Sequence, residues 1–466
     1  MWNKQKLSLF NGALFKKVTQ LIENYIEQGV LIAGERLPSE RNLAKDLQVN
    51  RSTIVHALDS LTERGILVRK QGCGTFVNEQ KWGLQAYSTI NWRLPANFYH
   101  HRQNVYHQKM TQVRQQMDHI CDLANGDLPT NMIPKLILPN ITSHEMVAYE
   151  KKSDMLQLGL PSLKQQIAYY MKKQFAMVVD TEQILITSGT QQSLFLITQG
   201  LLKPGDAIGI ESPSYFYSLP LFQAAGLRLY GIECDEEGIT LESLQKVTLE
   251  RQIKWLFLNP IFQNPIGCVM SNQRKKQVLA FCRKQCIGIV EDDAYSGLAF
   301  DEKTNILPIK KFDVSNQVVY LGSLSKYIGR NIRIGWMIAP SEIIEKLANI
   351  RHHIDSGLSI LPQLLAEEYL SHHYQTHQKW LRQQLQNKAN QLMDWLDDYF
   401  NGDVIYRVPT GGFHLYAHLP VNNAAQELTI LNQLLSKHII VSQGTDFGDK
   451  VGSIRLSYGH FEKNLL

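Results

Sequence analysis

From about residue 160 onward the chain alternates short apolar runs with stretches of helical period. ILIT, AIGIE, LRLYGI, KWLFLN, IGIVED, VVYLG and RIGWMIA are the runs. Runs this short, set between helices, are read as βαβ units, which assemble into a mostly parallel sheet covered on both faces. Such a sheet gathers ligands at the C-terminal ends of its strands. Chemistry is therefore expected in the polar residues that follow each run.

ILITSGTQQSLFLITQGLL reads as strand, glycine turn and helix, placing Gly189, Thr190 and Gln191 at a helix N-terminus. Free N–H groups and the helix dipole suit a phosphate there, although an ordinary βα turn has the same pattern. ESPSY brings Tyr215 to the same sheet edge, as a stacking ring or a packed aromatic. LNPIFQNPIG brings Asn264, either a turn residue or a rigidly held amide. IGIVEDDAY ends on Asp292, with Tyr295 three residues on; a carboxylate so near a core is costly unless paired, and its plain reading is a cap. VVYLG then delivers Ser323, Lys326 and Arg333 within GSLSKYIGRNIRIGW. A phosphorylated aromatic aldehyde at this edge makes sense of the set. Lys326 would form a Schiff base, Ser323 and Arg333 would neutralise the phosphate, and Asp292 would keep a pyridine nitrogen protonated. Each residue is ambiguous alone, but five end-of-strand signals in this order are specific.

The first 77 residues differ in kind. Leu14, Val18, Leu21, Ile22, Tyr25 and Ile26 recur at helical spacing. PSERNLAKDLQV offers Ser39 as an N-cap, and Asn50 is expected to cap a third helix. Its Ile54, Leu58 and Leu61 would face inward, leaving Arg51, Ser52, Thr53 and His56 outward. Two short helices so closely joined read as helix-turn-helix, with the second entering a major groove. ILVRKQGCGTFV follows as a hairpin, a wing with Arg69, Lys70 and Gln71 near its tip. A small protein-interaction module is the alternative. Charge favours nucleic acid: residues 1–77 carry 11 Lys/Arg against 7 Asp/Glu, and 78–118 carry 5 against 2. The remaining residues balance at 32 against 34, so the basic excess is N-terminal.

Residues 78–118 are rich in Gln, Asn, His and aromatics, show no sustained period until about Gln103, and are read as a linker. His100, His101 and His107 are read as surface histidines of that linker, since no carboxylate or cysteine lies at a ligand spacing. The six cysteines are scattered without a CxxC pair and read as reduced thiols. No run approaches the roughly 18 apolar residues of a membrane span, so a cytoplasmic protein is expected.

PSERxLA, the NRST start and GxGTFV together resemble the GntR-type winged helix. That resemblance implies that Arg41, Arg51, Ser52, Thr53 and Gly72 face DNA. At Val55 some members carry a basic residue, so base preference does not carry over. With the end-of-strand series, the chain resembles the MocR subfamily, in which a winged helix is fused to a fold-type I aminotransferase-like domain. The resemblance implies domains at 1–77 and 119–466, the latter with a mostly parallel α/β sheet and a small C-terminal α+β lobe. It implies pyridoxal 5'-phosphate on Lys326, contacted by Asp292 at the pyridine nitrogen and by Asn264 and Tyr295 at the ring hydroxyl. Tyr215 would stack on the ring, and Gly189, Thr190, Gln191, Ser323 and Arg333 would cradle the phosphate. Arg455 in SIRLSYG would grip a carboxylate, with Gly126 beside it.

Three departures accompany it. Asp154 stands where relatives place a tyrosine that reaches the neighbouring subunit's phosphate, Ile266 replaces a common threonine, and seven residues follow Gly459, so an abbreviated small lobe is expected. A homodimer on promoter DNA that senses an amino compound, or the cofactor itself, is the expected function. A working aminotransferase with a DNA-binding head, and a cofactor-free dimerisation scaffold, are the alternatives.

Overall fold

The computed structural model describes residues 2–10, 12–27, 30–31, 34–70, 72–78, 105–117, 119–137, 141–146, 157–301, 306–355 and 357–462. The chain forms two compact units that divide between Gln103 and Asn104. Gln71, His100, His101 and Asp154 lie outside the described residues.

The small unit is built from α1 (Leu14–Glu27), α2 (Glu40–Leu47), α3 (Arg51–Glu63) and a hairpin of β1 (Leu67–Lys70) with β2 (Gly74–Val77). Ser39 caps α2 by accepting from the Asn42 N–H at 3.3 Å. Asn50 occupies the equivalent position on α3 but makes no side-chain cap bond. Val18, Leu21, Ile22, Leu43, Leu47, Ile54, Leu58 and Leu61 form one apolar core. Gly72 turns the hairpin tip at φ +74°, where a side chain would be strained.

The large unit begins with α4 (Val105–Gln116), so the segment read as a linker to residue 118 ends earlier. Tyr106 is buried, and its hydroxyl donates to the Val441 carbonyl at 3.0 Å. Tyr106, Met110 and Val113 are the narrow apolar stripe that packs, in line with the period that begins near Gln103. His107 is likewise no free linker histidine: its Nε2 lies 3.0 Å from Asp446 Oδ2.

Eight strands form the main sheet: β4 (Ile184–Thr187), β5 (Ala207–Ser212), β6 (Arg228–Asp235), β7 (Gly238–Ile239), β8 (Trp255–Leu258), β9 (Gly288–Asp293), β10 (Val318–Ser323) and β11 (Gly335–Ile338). Their order is β4-β11-β10-β9-β8-β5-β6-β7. The pairs β5–β6, β5–β8, β8–β9 and β9–β10 are parallel, while β11 runs antiparallel to both its neighbours. Alternate residues feed opposite cores: Ile184 and Ile186 enter one cluster and Leu185 another. Burial on both faces, at about 1.5–3 kcal/mol per fully buried aliphatic side chain, is what makes the runs of β4, β5, β8, β9, β10 and β11 continuously apolar, while β6 is largely exposed. Helices α5 (Pro161–Phe175) and α6 (Thr190–Gly200) are among the flanking layers.

A second, four-stranded sheet orders β12 (Ile405–Tyr406), β13 (His414–His418), β16 (Ser453–Ser457) and β15 (Ser442–Gln443). Its pairs are antiparallel, and Arg455 lies opposite Ser442. Between β13 and β15 the chain forms β14 (Ile439–Ile440), which pairs with β3 (Cys121–Asp122). Among the described residues no helix is long and apolar enough to cross a membrane, and no group of His, Cys, Asp and Glu could hold a metal ion.

Candidate functional site

The antiparallel strand β11 explains why Lys326 and Arg333 come together. The chain leaves β10 at Ser323, makes one short excursion and returns at Gly335 directly opposite. Lys326 and Arg333 both lie in that excursion, at the C-terminal edge. Gly335 also pairs with Thr187, the last residue of β4, so the Ser188–Gln191 turn lies alongside. A Cβ on Gly335 would stand 2.9 Å from the Gly189 Cα, an approach that a glycine alone permits. On the other flank, β9 places Asp292 opposite Leu321.

A cavity of about 270 Å³ opens at this edge. Gly189, Thr190, Gln191, Tyr215, Asn264, Asp292, Tyr295, Ser323, Lys326 and Arg333 all line it. The ten positions expected to hold the cofactor therefore share one space. Asp127, Asn259, Ala294, Ser325 and Arg330 line it as well. Sequence reading missed these five, although Asn259 follows a strand in the same way and Ser325 and Arg330 sit inside the stretch already quoted.

Each wall has its own electrostatics. Lys326 Nζ donates to the Gly126 carbonyl oxygen. Burial lowers its pKa to about 8, opposed by Asp127 and Asp292 and assisted by Arg455 and Arg330. Asp292 is buried, and its Oδ1 has no hydrogen-bond partner among the described residues. Burial and then Asp293 push its pKa up to about 7, while Lys326 pulls it down. Asn259 fixes the local backbone by donating to the Asp292 carbonyl at 2.7 Å. Asp127 pairs with Arg330 at 2.8 Å. Ser323 Oγ accepts from the Ser325 N–H at 3.1 Å. Arg333 is held at φ +53° and remains exposed.

Arg455 is buried against the Phe447 ring, 4.8 Å from its centroid. It donates to Asn264 Oδ1 at 3.1 Å, to the Ala124 carbonyl at 2.7 Å and to Ser442 Oγ at 3.1 Å, while its Nε finds no partner among the described residues. Burial lowers its pKa to about 10, so it is charged at neutral pH. Tyr295 OH lies 3.1 Å from His414 Nε2, a contact no sequence signal announced because His414 opens a strand of the second sheet rather than following one of the main sheet.

In the small unit Arg41, Arg51 and Ser52 are exposed, and Thr53 is half-buried beside them. Arg51 donates to Glu40 Oε2 at 3.0 Å, and Arg69 of the hairpin reaches Glu40 Oε1 at 3.6 Å. One carboxylate thus holds the start of α3 next to the wing. Around Gly72 the surface is open: a Cβ there would meet nothing within 4 Å.

The family model for aminotransferase class I and II matches residues 106–466, and that for bacterial regulatory proteins of the gntR family matches residues 14–77. The uncharacterized HTH-type transcriptional regulator YdfD of Bacillus subtilis is 34% identical over 462 residues, covering 96% of this chain and 92% of the relative. The chain is a MocR-type regulator of the GntR family. The HTH-type transcriptional regulator NorG of Staphylococcus aureus strain USA300 is 29% identical over 433 residues, 92% of this chain and 96% of its own. A Pyrococcus horikoshii kynurenine aminotransferase, solved with PMP, superimposes with a TM-score of 0.67 at 25% identity, over 77% of this MocR-type chain and 90% of the enzyme.

The cofactor of this MocR-type regulator is pyridoxal phosphate. The residues present fit it. Asp292 lines the cavity with a buried carboxylate oxygen left without a partner among the described residues, as a protonated ring nitrogen requires. A lysine with a lowered pKa stands opposite, and a helix N-terminus with a nearby arginine forms the remaining wall.

Proposed function

We propose that this DNA-binding regulator senses an amino compound, or the cofactor itself, in the cytoplasm, through Lys326, and that it works as a homodimer. When bound, the cofactor supplies an aldehyde carbon able to exchange one amine for another and a ring that draws off electrons. The protein does the rest. Lys326 offers the amine, and Asp292 holds the ring nitrogen's proton. Asn264 and Tyr295 orient the ring oxygen, and Tyr215 covers the ring face. Gly189, Thr190, Gln191, Ser323 and Arg333 hold the phosphate. Arg455, with the turn at Gly126, takes the effector's carboxylate. In the small unit, Arg41, Arg51, Ser52, Thr53 and Gly72 meet the promoter, α3 entering the major groove.

The observation that carries this reading is the convergence of all ten cofactor positions on one cavity, which Lys326 lines together with Asp292, whose buried Oδ1 has no partner among the described residues. A contact chain leads outward from there. Arg455 stacks on Phe447, the neighbouring Asp446 holds His107, and His107 lies on α4, the first helix after the segment leading from the DNA-binding unit. A carboxylate drawing Arg455 toward it changes the support of α4 and thereby the DNA-binding heads.

The test is an absorption titration of the purified protein with amino acids, run beside operator binding. The reading requires a spectral change that tracks a change in DNA affinity, and borohydride must trap a pyridoxyl adduct on Lys326. An adduct elsewhere, or none, overturns it. The same residues also suffice for transamination, and steady turnover of an amino donor with a keto acid would establish that second reading.

A further inference from the structure

The reading above gives Tyr295 to the cofactor ring oxygen, but His414 already claims the same hydroxyl. His414 is buried on β13. Its Nε2 lies 3.1 Å from Tyr295 OH and its Nδ1 lies 3.0 Å from Ser457 Oγ. Ser457 is itself fixed, donating its N–H to the Leu123 carbonyl at 2.7 Å. Asn264 Oδ1 is taken by Arg455, so the Asn264 amide nitrogen is the group left to donate to the Tyr295 oxygen. The assignment that satisfies this network has Asn264 donating to Tyr295, Tyr295 donating to His414 Nε2, and His414 Nδ1–H donating to Ser457.

The surroundings keep that assignment in place. Burial, then the facing cations Arg455 and Lys326, hold the His414 pKa well below its ordinary value, so the ring stays neutral with one nitrogen free to accept. Tyr295 faces Arg455, Asp292 and Asp127, and its burial keeps the phenol protonated.

Resting on the proposed role of Tyr295, we infer that His414 is a positioning residue that competes with the cofactor ring oxygen for the single Tyr295 proton. A hydrogen bond donated to that oxygen weakens its hold on the proton it shares with the Lys326 nitrogen. The more completely Tyr295 donates to the ring, the lower the pH at which that proton leaves. By drawing part of the Tyr295 bond away, His414 raises this midpoint and sets the protonation state in which the sensor waits.

The experiment is a pH titration of the bound cofactor's visible absorption in the full-length protein. His414→Phe frees Tyr295 and is expected to lower the midpoint by about half a unit to one unit, the equivalent of one ordinary hydrogen bond. His414→Gln, which restores an acceptor, is expected to stay near wild type. Tyr295→Phe is expected to raise the midpoint whichever residue stands at 414. Where His414→Phe does not fold, Ser457→Ala decides: it releases the Nδ1 proton's partner, lets the ring invert its tautomer and so also lowers the midpoint. An unmoved or raised midpoint in His414→Phe, or in Ser457→Ala where that variant stands in for it, overturns the His414 assignment alone if Tyr295→Phe raises it. An unmoved midpoint in Tyr295→Phe overturns the placement of Tyr295 at the ring, and this inference with it.

Discussion

Asp292 and Lys326 line one cavity, and each moves the other toward its charged form: the lysine lowers the carboxyl's pKa and the carboxylate raises the amine's. In both groups burial outweighs the partner, so Asp292 ends at about 7 and Lys326 at about 8. A buried acid and a half-buried base lining one cavity are therefore both poised near neutrality, as a site that handles protons requires.

For the cofactor-free protein this has a stability consequence. The Asp292 pKa is raised on folding, so between its ordinary 3.8 and about 7 the folded state binds the extra proton. Its contribution to stability is present below that window and is lost as pH rises through it, with a slope of up to about 1.4 kcal/mol per unit. Asp292→Asn is expected to flatten this decline in apo-protein melts between pH 4 and 7. Equal slopes in both proteins would refute it.

The lysine predicts a rate. An amine must be deprotonated to attack an aldehyde, so uptake of pyridoxal phosphate by apo-protein is expected to accelerate with pH and level off above a midpoint of about 8. Stopped-flow absorbance reads it directly. A rate still climbing steadily at pH 10 would mean an unperturbed lysine.

Arg51 stands at the start of α3, exposed and aimed by Glu40. Arg51→Ala is expected to weaken operator binding by about five- to a hundred-fold, and to leave the cofactor absorbance unchanged. Fluorescence anisotropy at fixed salt checks the first half and a spectrum the second. A twofold loss or less would remove Arg51 from the interface.

His107 predicts a separation of binding from response. His107→Ala cuts the link from Asp446 to α4 without touching the cavity. Effector affinity, read by absorbance, is expected to stay within about twofold, while the effector-induced change in operator affinity shrinks several-fold. An unchanged response would show that the signal takes another way out.

The main fold was legible in the sequence because β4, β5, β8, β9, β10 and β11 are buried on both faces, leaving continuous apolar runs whose ends mark the ligand edge. The same rule led to Lys326, Asp292 and Asn264. Asp127 and His414 were not legible, since neither follows a strand of the main sheet: one sits on a turn near β3 and the other is the first residue of β13. Their meaning comes from long-range packing, which local pattern does not encode. The period of α4 was visible from about Gln103, but its membership of the large unit was not, because a few apolar residues among glutamines look like tether until Val441 and the helix Ala424–Ser436 are there to receive them.

That helix also fixes where mechanical effects enter the large unit. The Tyr106 hydroxyl is stitched to both the carbonyl and the N–H of Val441, immediately before the strand that pairs with Arg455. Val441 leads straight into Ser442, whose Oγ accepts from Arg455, so a single backbone step joins α4 to the wall that holds the guanidinium. A side chain at 106 without a hydroxyl would leave both polar groups of Val441 to find other partners.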